Sequence, residues 1–264
     1  MFKPPLPAIS LVGLARDAAH PWSASPRAAI AWAGSTGARA LAIDATAPAT
    51  RPRNLDRSAR RDLAASMRRS ELASAGIDLF IPPEHFIDDA HADRAVSAVL
   101  QGIELARELA GTGTGSGEAC LSIALPAEPP AGMISTINTE AGRLGVIVAD
   151  HAPRDPGAAP SEDAHSIGIG VDPAVLLREK LDPVAVLTRA GDRLGAIRLS
   201  DASAFGRCPV DAEGSRLDVH AYAIAAATVG ARFITLDLRG VADQDEAARG
   251  TLALWRDATA LPGL

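Results

Sequence analysis

Short apolar runs alternate along this chain with stretches in which apolar positions recur every three or four residues. The runs lie near 8–14, 38–44, 77–82, 119–125, 145–150, 166–172, 195–201 and 232–238, and they have the length of buried strands. Helical stretches near 26–34, 58–75, 93–110, 173–190, 219–229 and 245–255 lie between and after them. In the third of these, Val96, Val99, Leu100, Ile103 and Ala106 form one buried stripe. Strands that alternate with helices pair in parallel. Eight of them in 264 residues leave about 33 residues per unit, which suits a single (β/α)8 TIM barrel spanning residues 1–264. An open doubly wound sheet is the rival.

Two segments interrupt the alternation. Gly111 to Gly117 holds four glycines, but it follows a helix and precedes a strand. A dinucleotide cradle needs the opposite order, so a flexible connection is expected there. Residues 152–166, with Pro153, Pro156 and Pro160, stand where the fifth helix belongs; a long loop or a very short helix is expected, making unit 5 irregular.

Composition narrows the function classes. The net charge of −6 opposes a general nucleic-acid or anionic-membrane binder, which needs a basic footprint. Two cysteines, Cys120 and Cys208, lack the spacing of a disulfide framework or a zinc site, and this fits a reducing, cytoplasmic setting. The start of the chain reads as a first strand and not as a signal peptide, because prolines break its apolar stretch. No uncharged run approaches the length of a membrane span. Lysine occurs only at Lys3 and Lys180, which leaves almost no candidate for imine chemistry.

The two-residue period of strands assigns side chains to faces. A barrel's outer face must be apolar to meet helices, so Leu41, Ile43, Ile169, Val171, Ile197, Leu199, Ile234, Leu236 and Leu238 face outward. Asp44, Asp172, Arg198, Ser200, Thr235, Asp237 and Arg239 then face inward. The fifth strand is ambiguous, and Asp150 continues the face of Val146 and Val148. The expected result is a polar ring of Asp44, Asp150, Asp172, Arg198, Asp237 and Arg239 at the strand C-termini, where barrel enzymes keep their sites. A wet pocket and a structural ion-pair lattice, with Arg198 neutralising Asp172 and Asp237, both account for such a ring.

Four segments carry a family resemblance: Leu-Gly-Val-Ile-Val-Ala-Asp-His ending at His151, Gly-Ile-Gly-Val-Asp ending at Asp172, Ile-Arg-Leu-Ser-Asp at 197–201, and Ile-Thr-Leu-Asp at 234–237. The chain resembles the xylose isomerase-like TIM barrels, which include sugar phosphate isomerases and epimerases. That resemblance implies proton transfer on a small sugar or sugar phosphate near a divalent metal (Mn, Mg, Zn or Co). The implied ligand positions are Asp150, Asp172, Arg198 and Asp237. Arginine cannot ligate a cation, so the expectation is a degenerate site without metal, in which Arg198 supplies the charge. If a metal is present, Asp150, Asp172 and Asp237 are its ligands. The alternative is a non-catalytic carbohydrate-binding barrel.

Candidate acids and bases are Glu84 and His85 in the loop after the third strand, Asp150 with the following His151, and Asp237. Asp44, Asp172, Arg198, Asp201, Arg207 and Arg239 are candidate substrate contacts. Glu84 and His85 are equally a loop-anchoring pair, and Arg207 equally part of a polar loop. Arg51, Arg53, Arg57, Arg60, Arg61, Arg68 and Arg69 cluster around the second helix, as a solvated face, an anionic partner's footprint or a subunit contact. A homo-oligomer is compatible with all of this.

Overall fold

Eight parallel strands close a barrel: β1 (Leu6–Ser10), β2 (Ala40–Asp44), β3 (Ala73–Asp78), β4 (Cys120–Ile123), β5 (Ile147–Asp150), β6 (Ile167–Val171), β7 (Leu194–Leu199) and, after a hairpin of β8 (Asp201–Ser203) and β9 (Gly206–Cys208), β10 (Phe233–Leu236), which pairs back onto β1. The structure is a computed structural model and describes residues 3–111, 117–153, 167–210 and 212–260. Eight α-helices accompany the strands among the described residues: α1 (Pro26–Ser35), α2 (Arg57–Arg69), α3 (Ala92–Ala110), α4 (Ala131–Leu144), α5 (Pro173–Arg178), α6 (Pro183–Ala190), α7 (Val219–Thr228) and α8 (Gln244–Thr259).

The outer strand faces meet the helices as the two-residue period requires. Leu41, Ile43, Val148 and Leu236 join one buried cluster with α1 to α4. Val171, Ile197, Leu199 and Ile234 join a second with Leu187, Tyr222 and Trp255. Each fully buried aliphatic side chain contributes about 1.5–3 kcal/mol of transfer free energy. The lumen is lined by small residues. Ala8, Ala40, Ala73 and Ala75 gather with Phe233, and a Cβ on Gly195 would come within 2.8 Å of the Ala149 side chain across the barrel.

The structure differs from the sequence expectation in four elements. The third strand ends at Asp78 and does not run over 77–82; its residues Ala73-Ser74-Ala75-Gly76 are too small to read as an apolar run, yet they are what the crowded lumen accepts. Helix α4, where none is expected, contains two glycines and four β-branched residues, but packing of Met133, Ile134, Ile137 and Ala141 overrides this weak propensity. The expected helix 173–190 is two helices. Lys180 turns left-handed at φ 61°, and Asp182 then accepts a 2.9 Å bond from the Val184 amide to start α6 at Pro183. The loop after β7 holds the β8–β9 hairpin. Gly111 caps α3 as a connection should, whereas residues 112–116 and 154–166, on which most of the glycine-loop and unit-5 expectations fall, lie outside the described residues.

Candidate active site at the barrel mouth

The strand ends bring three guanidiniums and three carboxylates together. Arg198 on β7 is 1% exposed and grips Asp78 at the end of β3 across the lumen, its Nη1 donating to Oδ2 at 3.0 Å and its Nη2 to Oδ1. Ser10 on β1 donates to the same carboxylate. Asp172, beyond β6, accepts from Arg207 Nη1 at 3.0 Å and Nη2 at 2.8 Å, from Ser200 Oγ at 2.8 Å and from Arg239 Nη2 at 3.2 Å. Asp237, beyond β10, accepts from Arg239 Nε at 3.0 Å and Nη2 at 2.6 Å. The ring is neutral in sum.

Burial and pairing oppose each other at Asp172, Asp237 and Arg198. Burial alone would raise the Asp172 carboxyl, but the Arg207 charge and hydrogen bonds, with Arg239 behind them, hold it well below the usual range. Asp237 is lowered likewise, burial being outweighed by Arg207 and Arg239. Arg198 loses by burial and regains more from Asp78, so its guanidinium stays charged.

Arg198 does not bridge Asp172 and Asp237 by hydrogen bonds, as the sequence suggested. Its hydrogen-bonded partner is Asp78, and Arg207 and Arg239 serve the other two. Arg207 arrives on the hairpin: Asp201, fully buried, accepts from the amides of Ala202 at 2.6 Å, Arg216 at 2.8 Å and Leu217 at 2.7 Å and so fixes both ends of the excursion. Asp201 therefore holds the loop, and Arg207 reaches the ring.

The fifth strand has the opposite phase from the one expected. Asp150 does share a face with Val146 and Val148, but both valines belong to the outer cluster. The Asp150 carboxylate accordingly turns to backbone, accepting from Leu125 N and Ala152 N at 3.0 Å each. His151 takes the inward position. Its ring lies over Gly170, where a Cβ would come within 2.5 Å of it, and its Nε2 sits 3.1 Å from Ser122 Oγ. Burial first, and the Arg198 charge second, push this imidazole well below its ordinary pKa, so it is neutral at pH 7. Among the described residues, His151 Nδ1 and Arg198 Nε are buried without a hydrogen-bond partner.

Sequence reasoning missed Asp78 and Phe80. The Phe80 ring lies 4.0 Å below the Arg239 guanidinium carbon and 5.4 Å from that of Arg198, with His151 edge-on at 5.8 Å. Placing β3 four residues too late put Asp78 near its start instead of at its end, where the site is built.

Asp44 stands apart from the three-carboxylate ring. It accepts from Thr46 N at 2.8 Å and from Arg16 Nη2 at 3.1 Å, and this pair lines a cavity of about 410 Å³ with Trp22. Glu84 and His85 sit in a 3-10 turn, Pro83–Phe86, after β3; Glu84 is exposed, and His85 stacks on His91 with ring centroids 4.6 Å apart. His85 lines a second cavity of about 380 Å³ beside Phe80.

The ring does not suit a divalent metal. Its three carboxylates already accept from guanidiniums, Asp150 is turned to backbone amides, and Arg198 stands among them. Among the described residues no group of three or more His, Cys, Asp or Glu side chains is arranged to hold an ion.

No family model and no curated protein sequence matches the chain. Solved structures do. A D-psicose 3-epimerase crystallised with D-fructose is 15% identical, with a TM-score of 0.70 over 96% of this chain and 99% of that one. The 3-keto-D-glucoside 4-epimerase of E. coli is 13% identical, with a TM-score of 0.67 over 96% and 99%. A xylose isomerase-like TIM barrel protein of Mycobacterium smegmatis, in complex with magnesium, is 12% identical, with a TM-score of 0.68 over 97% and 96%. At these identities the likeness concerns the backbone alone: this chain has the (β/α)8 barrel fold that these sugar epimerases and the xylose isomerase-like TIM barrel protein share.

Proposed function

We propose that the protein is a metal-independent sugar isomerase or epimerase whose arginines take the part of the divalent cation. The observation that carries this reading is the pair Arg207 and Arg239, whose side chains are 13% and 27% exposed at the top of an otherwise closed ring. Proton transfer beside a carbonyl develops negative charge on oxygen, and a fixed guanidinium in a low-dielectric site stabilises it. Arg239 engages its carboxylates through Nε and Nη2, and its guanidinium, over the Phe80 ring, keeps Nη1 outside those bonds for a ligand oxygen. Asp172 and Asp237, held ionised and paired, orient these donors and are poor proton acceptors. His151 is the base in this reading by position: it is neutral and adjoins the ring. Its buried Nδ1, without a hydrogen-bond partner among the described residues, takes the proton only once a bound ligand reaches it, because burial opposes its charging in the free protein. The ligand is a small sugar or sugar phosphate, by analogy with the sugar-epimerising barrels of the same fold.

Incubation in D₂O with ketoses, aldoses and their phosphates tests this. Deuterium should enter next to the carbonyl of at least one, and His151→Gln should slow the exchange about 10²-fold or more. A second reading, a carbohydrate-binding barrel without catalysis, is favoured by the complete pairing of the ring carboxylates. Binding of sugars with no exchange across the panel would select it.

A further inference from the structure

The cavity between the loops after β2 and β3 is cationic in an acidic protein. Arg51, Arg53 and Arg94 line it together with His85 and His91, and among the described residues no Asp or Glu lines it. Arg51 spends Nη2 on the Thr46 carbonyl at 2.9 Å and Arg94 spends Nη2 on the Ala90 carbonyl at 3.1 Å, so both are positioned by backbone and keep further N–H groups. Asp88 holds His91 through Nδ1, which leaves Nε2 as the free edge of the stacked imidazole pair. Apolar walls come from Leu79, Phe80 and Ile81. A volume of about 380 Å³ lies within the rough 300–1,000 Å³ of small-molecule sites.

Three positive charges, two of them positioned by backbone carbonyls, without a carboxylate among the described lining residues call for a compact anion of more than one charge. A carboxylate would leave two arginines uncompensated; a phosphate monoester, with nearly two charges and three acceptor oxygens, matches better. Phe80 is shared between this cavity and the arginine ring, since Arg239 lies 4.0 Å over its ring. A ligand held here by one end and long enough to pass Phe80 reaches Arg239 with its other end. We propose that this cavity is the phosphate subsite of the protein, so that its substrates are phosphorylated sugars whose carbonyl end lies over Phe80 at Arg239 and Arg207. The substrate class rests on the isomerase reading; the anion site rests on the cavity alone.

Titration calorimetry on the full chain, with a panel of ketose and aldose phosphates, their parent sugars and inorganic phosphate, separates the two. At least one phosphate ester should bind ten times more tightly than its parent sugar, with an affinity that falls as salt rises. The double variant Arg53→Gln/Arg94→Gln should remove that advantage at an unchanged melting temperature, whereas Arg57→Gln, outside the cavity, should keep it. Esters that bind no better than their parents, or an advantage that survives in the double variant, would overturn the proposal. Inorganic phosphate binding that depends on Arg53 and Arg94, with no sugar moiety adding to it, would keep the anion site and overturn the assignment of phosphorylated sugars as substrates, leaving the isomerase reading to the exchange experiment.

Discussion

Arg198 carries a full charge into a volume that solvent barely reaches, and only Asp78 answers it directly. Removing one member of such a pair strands the other, so Arg198→Ala should destabilise the fold by about 3–5 kcal/mol in chemical denaturation. A loss below about 1 kcal/mol would mean that water reaches Asp78. His151 has a pH signature. Its folded pKa lies below the unfolded value near 6.5, so under acid the unfolded chain takes up a proton that the folded one refuses. Stability should fall as pH drops from about 6.5, by at most about 1.4 kcal/mol per pH unit. His151→Gln should flatten the denaturation free energy over that window. Asp172 and Asp237, lowered in the fold, add a separate loss below about pH 4. Much of this site was legible residue by residue. Asp172, Arg198, Asp237 and Arg239 followed from strand phase alone, because outward neighbours must be apolar. Asp150 and His151 did not, since Val146, Ile147, Val148 and Ala149 are apolar on both faces and give phase no contrast.

At the scale of elements, legibility tracked how strongly local pattern and packing agree. Strands β2, β6, β7 and β10 were found with their faces correctly assigned because large apolar residues on the outer face alternate mainly with small or polar ones. Strand β3 was displaced toward Leu79-Phe80-Ile81, since a strand built of Ala, Ser and Gly carries almost no hydrophobic signal. Its register shift against β2 falls between Leu41 and Ala42, and Gly76, at φ 123° with the Cys120 carbonyl 2.6 Å from a built Cβ, admits no side chain there. Helix α4 was invisible for the converse reason: its glycines and β-branched residues argue against helix, and packing against α3 and β5 holds it. The β8–β9 hairpin, three residues a side, is too short for any periodicity to register. Yet it delivers Arg207, so the least legible element supplies one of the ring's three cations.

For the whole molecule, charge balance decides what the mouth can accept. A divalent ion entering the ring would have to displace guanidiniums that already satisfy Asp172 and Asp237, and it would find no neutral imidazole ligand at position 198, where Arg198 stands. Displaced guanidiniums would then sit buried or half-buried beside a like charge, a cost far above what two carboxylates return. The carboxylates are therefore ligands already in use, by cations that cannot leave the chain. Protein purified without chelator should carry no stoichiometric Mn, Mg, Zn or Co by elemental analysis, and EDTA should leave its melting temperature unchanged. A tightly held metal that disappears in Asp172→Ala would overturn this and return the mouth to the metal-assisted chemistry that the resemblance first implied. The absence of both that metal and a chelator effect would instead leave Arg207 and Arg239 as the groups that must bear any developing oxyanion. In that case Arg239→Gln should abolish exchange in D₂O more completely than it weakens sugar binding, because a donor aimed at a developing charge acts on the transition state more than on the ground state.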